Sequence, residues 1–317
     1  MKKFDVIADV HGRFDKLESL LLKMGYRPQG DGFRAPEGHQ AVFLGDLIDP
    51  KPGHPSPGGV RKVLKAAKAM QEAGDALVIM GNHEFNAICF HSYDPDGKPL
   101  RTHDEKNHKT HQGTLDDFPE WEDPASEWLS LWLPWMKRLP MWLDLGGLRV
   151  IHACWHSDHF EPLDGRSLED DGFLLACATK GEKEYLAVEA LLKGIEVPLP
   201  EPHFFIDHTG TPRRQFRARW WHVPGDGVSC RDLVFPESEA IVELPVDADS
   251  RELFSPYPAD APLVFFGHYF KPASQSLAPE CHNVACLDHS AAIGGPLVAY
   301  RWNGEASIKL ENYISHS

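Results

Sequence analysis

Five times along this chain a short apolar run of strand character stops at polar residues: at Asp9-Val10-His11-Gly12, Gly45-Asp46-Leu47-Ile48-Asp49, Gly81-Asn82-His83-Glu84, His152 and Gly267-His268. One such cluster is ordinary turn chemistry, because Asp, Asn and Gly are favoured where the backbone reverses. Five of them, all at the carboxyl ends of expected strands and all supplying Asp, His or Asn without a basic residue, constrain the fold far more. In open α/β sheets ligands gather at the carboxyl ends of strands, so a central parallel sheet would bring these clusters to one rim. Carboxylate and imidazole donors together suit Mn, Fe, Zn or Ni. A buried acid cluster is costly when uncompensated, and bound divalent cations are the natural way to hold one together.

The pattern around the clusters predicts an α/β chain. Phe4 to Ala8 reads as a strand, and Leu17, Leu20, Leu21 and Met24 give Phe14 to Met24 a helical spacing closed by Gly25. The alternation returns with a strand over Ala41 to Leu44, a Pro/Gly-rich loop to Gly59, a helix over Val60 to Ala73 and a strand over Ala76 to Met80. Further strands are expected at Leu148 to His152, Ala240 to Leu244, Leu263 to Phe266, Asn283 to Leu287 and Leu297 to Trp302, with a helix around Glu184 to Lys193. Ser92 to Asp123 is polar, with little hydrophobic periodicity, and reads as an excursion or lid. Trp128 to Trp142 reads as a helix broken at Pro134 and Pro140 whose tryptophans serve packing. No repeat, low-complexity tract or linker divides the 317 residues. The simplest organisation is one domain over 1–317, with insertions or lid segments at about 92–145 and 157–235.

Charge narrows the partners. The chain has 47 Asp+Glu against 32 Lys+Arg, a formal charge of −15. Polynucleotide binders draw most of their affinity from cations that displace counterions from phosphates, so no polynucleotide partner is expected. A small phosphorylated ligand fits if positive charge is supplied locally. No apolar run approaches the ~20 residues of a membrane span. The amino terminus enters a strand pattern without a secretory core, so a cytoplasmic location away from membranes is expected. The six cysteines include no C-x-x-C pair and are expected to be reduced. Cys154 lies beside a cluster, and nothing near it in sequence is arranged to activate it.

The ordered motifs D-x-H-G, G-D-x-x-D, G-N-H-E, a strand-ending His and G-H, from Asp9 to His268, resemble those of the calcineurin-like metallophosphoesterases. Within them the chain is similar to the phosphoprotein phosphatase branch, which includes bacterial serine/threonine protein phosphatases and symmetrical diadenosine tetraphosphatases. The resemblance implies a four-layer α/β/β/α sandwich with two metal ions at its rim. It also implies that Asp9 and His11 hold the first metal, that Asp46 bridges both, and that Asn82, His152 and His268 hold the second. The ions would be divalent or mixed-valence, with Mn²⁺ expected and Fe, Zn or Ni as alternatives. A bridging carboxylate keeps two cations ~3.5 to 4 Å apart, where they share a hydroxide that attacks phosphorus in line without a phosphoenzyme. His83 would protonate the leaving oxygen, and Asp49 would orient it and stabilise its charge.

The chain departs from the family pattern at one point. G-D-x-x-D usually continues with Arg-Gly, the arginine gripping the substrate phosphate, but here Asp49 is followed by Pro50, Lys51, Pro52 and Gly53. Lys51 can supply charge but not a guanidinium's bidentate fork. Other candidates lie in the run Arg213 to Trp221. If it is a strand, Arg213, Arg217 and Arg219 share one face, although a solvated basic edge explains them as well. Arg61 is a weaker candidate. His103, His108 and His111 with Asp104 could form an auxiliary site, but their polar context favours a solvated lid. His156, Asp158 and His159 read as pocket lining or a surface loop, and Asp288 as a group that orients a ligand histidine.

The leading expectation is therefore a dinuclear phosphoesterase acting on a phosphomonoester or phosphoanhydride. A small phosphorylated metabolite or a diadenosine polyphosphate is favoured over a phosphoprotein, because the excursions would roof the rim. The alternatives are a serine/threonine or tyrosine phosphoprotein phosphatase and a non-catalytic metal- and phosphate-binding module, the latter motivated by the missing arginine.

Overall fold

The computed structural model describes residues 2–54, 56–206, 210–222, 224–241 and 243–316. Its centre is a pair of sheets. The first contains β1 (Lys3–Ile7), β2 (His39–Phe43), β3 (Ala76–Val78), β8 (Leu297–Trp302) and β9 (Tyr313–His316), in the spatial order β9-β8-β1-β2-β3. The second contains β4 (Trp142–Asp144), β5 (Leu148–Ile151), β6 (Leu263–Phe266) and β7 (Val284–Cys286), in the order β7-β6-β5-β4. β1, β2 and β3 run parallel, as do β5, β6 and β7. These strands read as continuous apolar runs because both of their faces are covered. The sheets meet face to face where the Phe265 ring of β6 lies 4.6 Å from that of Tyr300 on β8.

Helices cover the first sheet. α1 (Phe14–Lys23) lays Leu17, Leu20 and Leu21 against β8 and β9. α2 (Gly59–Glu72) buries Val60, Val63, Leu64, Ala67 and Met70 against β3 and α1. On the far side of the second sheet, Trp220 and Trp221 pack on Phe266 at 5.3 and 5.5 Å. The carboxyl ends of β1, β2, β3, β5 and β6 come together as the motif pattern requires. The His152 side chain ties the two rims together, Leu44 O accepting from its Nδ1 (2.7 Å), and within the second sheet His152 O accepts from Gly267 N (2.9 Å). Among the described residues no helix is long and apolar enough to cross a membrane.

Three expectations need correction. Ala240 to Leu244 is no strand where it is described, and Val242 lies outside the described residues. The main chain there serves other groups, with Ile241 O accepting from Arg231 Nε and Leu244 O from Cys230 N. The Trp-rich segment is a π-helical turn (Trp128–Trp132) running into a short α-helix (Leu133–Lys137), and Trp142 already belongs to β4. Pro134 sits at the start of the second piece, where a missing N–H costs little, instead of breaking a long helix. Ser92 to Asp123 is not a featureless excursion. After α3 (Asn82–Phe90) it carries a separate helix, α4 (Glu105–Asp117), whose Asp117 carboxylate accepts from the main-chain N–H groups of Gly58, Val60 and Arg61.

Candidate metal centre

The site is assembled from tight turns. His11, Asp46, Asp49 and His268 all have left-handed backbone, with φ of 47°, 49°, 61° and 68°. Such conformations cost non-glycine residues about 1–3 kcal/mol each and persist where surrounding contacts over-determine them. The contacts are visible. Val10 N and His11 N both donate to Asp46 O (3.1 and 2.8 Å), and Gly12 N donates to Leu47 O (2.8 Å). Glu84, fully buried on α3, accepts from Asp46 N (2.8 Å), Leu47 N (2.8 Å) and Gly81 N (2.9 Å). Close approach demands glycine at two points: a Cβ on Gly45 would overlap the backbone of Gly81, and one on Gly267 would overlap the Asp9 carboxylate.

Two donor sets share Asp46. His11, Asp46 and His83 each offer an atom within 4.8 Å of the others, and so do Asp46, His152 and His268. Nε2 of His11 lies 3.5 Å from Asp46 Oδ2, and Nε2 of His152 lies 3.4 Å from Asp46 Oδ1. Asn82 Oδ1 lies between His152 Nε2 (3.0 Å) and His268 Nδ1 (2.7 Å). The rings are oriented from behind, since Nδ1 of His11 donates to Ile48 O (3.0 Å) and Nδ1 of His152 to Leu44 O (2.7 Å). Those bonds set the ring orientations and turn each Nε2 inward. Asp9 belongs to neither of these triplets; its Oδ2 accepts from His268 N (2.9 Å).

These residues fit divalent cations. Asp9 Oδ1 and His268 Nε2 are buried polar atoms without a hydrogen-bond partner among the described residues. The charges are also in conflict. Burial, then the Asp288 charge, pushes the Asp9 carboxyl well up. Burial alone would lower His152, but Asp46 and Asp9 outweigh it and hold that imidazole up at about 10. Burial and the Lys51 charge press His11 well down, and burial and Arg217 do the same to His268. Crowded carboxylates facing buried imidazoles form a donor set that lacks positive charge.

His83 differs from the other members of the two sets in being braced by a carboxylate, its Nδ1 lying 2.7 Å from Asp49 Oδ2. Burial alone would raise Asp49, but the charge and hydrogen bond of His111, with those of His83, hold its carboxyl well below the usual carboxylate range. Asp49 therefore only accepts, and Nδ1 of His83 carries the proton. Lys51 Nζ lies 3.0 Å from the opposite nitrogen, His83 Nε2, and 5.5 Å from the centroid of the Phe270 ring.

The arginines separate. Arg213 and Arg217 do not lie on one strand: Pro212–Arg213 pairs with Phe205–Ile206, whereas Gln215–Arg217 pairs with Glu196–Pro198. Arg213 is exposed, and Arg219 is held by Glu237 (2.8 Å) and Val234 O. Arg217 alone projects its charge onto His268 and Tyr269. Arg61 is taken up by Glu127 and Asp117 O. Asp288 orients main chain, not a histidine ring, accepting from Phe270 N and Ser290 N (2.9 Å each). His156 and His159 pack on each other at 4.5 Å. All six cysteines are free thiols, and burial pushes Cys154 well up, which leaves it unreactive.

Sequence reasoning missed two contributors. Glu84 stood in a quoted motif without a role, although an acid three residues after Gly81, at the start of a helix, is a capping signal. His111 was assigned to a solvated lid, yet it is buried with Nδ1 2.7 Å from Asp49 Oδ1. The signal was present: Asp104 is a legible N-cap, and His108, His111, Leu115 and Phe118 follow helical spacing.

The chain is similar to several known proteins. The family model described as calcineurin-like phosphoesterase matches residues 2–272. An asymmetrical bis(5'-nucleosyl)-tetraphosphatase PrpE of Oceanobacillus iheyensis is 36% identical over 81 residues, 26% of this chain and 30% of that protein. A symmetrical bis(5'-nucleosyl)-tetraphosphatase of Hamiltonella defensa is 25% identical over 210 residues, 65% of this chain and 57% of that protein. The chain thus spans less than a third of the first relative's length and somewhat over half of the second's. The solved cold-active protein-tyrosine phosphatase of a psychrophilic Shewanella is 18% identical, with 99% of this chain and 80% of that one covered and a TM-score of 0.47. With its motifs brought to one rim and the family model matched over most of its length, the chain belongs to the calcineurin-like phosphoesterase family.

Proposed function

We propose that the chain is a dinuclear metal-dependent phosphoesterase that hydrolyses a phosphomonoester or phosphoanhydride. Asp9, His11 and Asp46 would hold one ion, and Asp46, Asn82, His152 and His268 the other. Bound there, the metals would supply Lewis-acid charge for the phosphoryl oxygens and an activated water. The observation that carries the reading is the His83–Asp49 pair, 2.7 Å apart, whose imidazole also comes within reach of the donor atoms of His11 and Asp46. A purely structural or phosphate-binding metal cluster has no use for a buried imidazole braced by a carboxylate.

His83 acts as the acid. With Nδ1 committed to Asp49, Nε2 is the ring nitrogen that can reach the leaving oxygen. It accepts from the Lys51 ammonium in this structure, so it can carry and give a proton only once substrate draws Lys51 to its phosphoryl group, and Asp49 would then stabilise the imidazolium before transfer. Lys51 replaces the arginine usual after the second motif. Its ammonium sits at His83 Nε2, where the phosphoryl group and its leaving oxygen must enter, and it binds them as a point charge. Arg217, which makes no side-chain hydrogen bond or ion pair among the described residues, supplies a second cation from the His268 side.

The named activity of the tetraphosphatase relatives supports a dinucleoside polyphosphate or another small phosphorylated metabolite as substrate. Purified protein with Mn²⁺ is expected to hydrolyse p-nitrophenyl phosphate and a dinucleoside tetraphosphate in preference to phosphopeptides. His83→Ala is expected to lower turnover by about 10²- to 10⁴-fold while keeping its metal. No hydrolysis of monoesters, diesters, polyphosphates or phosphopeptides by metal-loaded protein overturns the proposal.

A further inference from the structure

Asp49 has a second imidazole. Its Oδ2 accepts from His83, while its Oδ1 accepts from Nδ1 of His111 (2.7 Å) and from Thr114 Oγ1 (2.6 Å). The same threonine oxygen accepts from Asp49 N (2.9 Å), so both ends of the residue are fastened to α4. His111 and Thr114 lie one turn apart on the inner face of that helix, which is otherwise polar. Because Asp49 only accepts, His111 carries its proton on Nδ1. Its Nε2 lies 3.2 Å from Nε2 of His91, an imidazole that burial and the His111 charge push down to about 3. His111 itself is buried and packs against Phe90 and Trp128, at 5.4 and 5.7 Å.

We infer that His111 is a positioning residue for the leaving-group acid, acting through Asp49. This inference rests on the phosphoesterase reading, in which His83 is that acid. A carboxylate held at one oxygen can swing about its χ2 torsion, which is broad. The Asp49 plane, and with it the direction in which His83 Nε2 points, is set by His83 at Oδ2 and by two donors at Oδ1; without His111 only the Thr114 hydroxyl, which rotates and itself accepts from Asp49 N, opposes that torsion. Loss of the His111 donor leaves Oδ1 with Thr114 alone, in a turn whose backbone is left-handed at Asp49. α4 itself stays anchored, because Asp104 caps its start and Asp117 binds the α2 N-terminus independently of His111.

The test is the leaving-group dependence of hydrolysis by the metal-loaded protein, with metal content and melting temperature measured on each sample. In His111→Leu, kcat for phenyl or alkyl phosphates, whose leaving oxygen needs a proton, is expected to fall by about 10- to 100-fold. For 2,4-dinitrophenyl phosphate, which departs unaided, it should change by less than about 3-fold, with KM unaltered for both classes. His111→Asn presents its amide nitrogen where Nδ1 stood and should restore most of the loss. In a His83→Ala background His111→Leu should have no further effect, because the two act as a unit. Equal losses for all leaving groups, or an additive loss in the His83→Ala background, overturn the inference and leave the phosphoesterase reading intact. A metal-loaded wild type that hydrolyses nothing overturns that reading first. If His111→Leu fails to fold, ¹⁵N-histidine spectra of the wild type decide, since a His111 ring protonated only at Nε2 contradicts the proposed hydrogen bond.

Discussion

Glu84→Gln isolates the scaffold beneath the metal ligands. The carboxylate is fully buried and accepts three main-chain N–H groups, two at Oε2 from Asp46 and Gly81 and one at Oε1 from Leu47. Burial and the Asp46 charge push its carboxyl up, and the N–H bond from Gly81 opposes them. Glutamine keeps the length but turns one oxygen into a donor. In the better amide orientation Leu47 N–H is left facing another donor, and in the worse one both Asp46 and Gly81 are. At about 1–3 kcal/mol for each buried unpaired donor, with charge assistance lost from the remaining bonds, the expected destabilisation is about 2–4 kcal/mol. Because the same turn carries Asp46, metal affinity should also fall, by about 10- to 100-fold, as for other groups that orient ligands. Urea unfolding of metal-free protein measures the first quantity and metal titration the second. A change below about 0.5 kcal/mol, within the range of ordinary surface substitutions, with unaltered metal affinity would refute the reasoning.

Two further outcomes follow from the acid pair and its neighbours. Lys51→Ala removes the cation at His83 Nε2 and should lower kcat/KM by about 10- to 100-fold, the worth of one hydrogen bond to a charged group, with Lys51→Arg recovering much of it; unchanged steady-state kinetics would rule out a substrate role. The Asp49 carboxyl is held below its ordinary value of about 3.9, so the stability it contributes is fully present above that pH and is lost as pH falls through the folded value. The unfolding free-energy difference between wild type and Asp49→Asn, measured by urea titration, should therefore shrink as pH falls below about 4. A difference that grows on acidification contradicts the assigned hydrogen bonds.

How far the sequence carries depends on the kind of signal. The strands and helices around the motifs were legible because Leu17, Leu20 and Leu21, or Val60, Val63 and Leu64, repeat at the spacing of the face they bury. The donor set was legible because its members end strands, and strand ends in a parallel sheet converge whatever the loops do. α4 was obscured because its buried stripe is built from His111, Thr114 and Leu115, and polar residues facing a polar site carry no hydrophobic periodicity. The arginine run was misjudged for a related reason. Its short strands belong to two different pairings, so alternation along the sequence says nothing about a common face. Lys51 was noticed for its charge, but its reach to His83 depends on the path of a Pro/Gly-rich loop that no periodicity encodes.

The central claim is that two ions bind on either side of Asp46, next to the His83–Asp49 pair. Anomalous diffraction from crystals of the Mn²⁺-loaded protein tests it most directly. The account predicts two peaks ~3.5 to 4 Å apart, both touching Asp46, one bounded by His11 and the other by Asn82, His152 and His268. A single peak, or two that do not share Asp46, would contradict it.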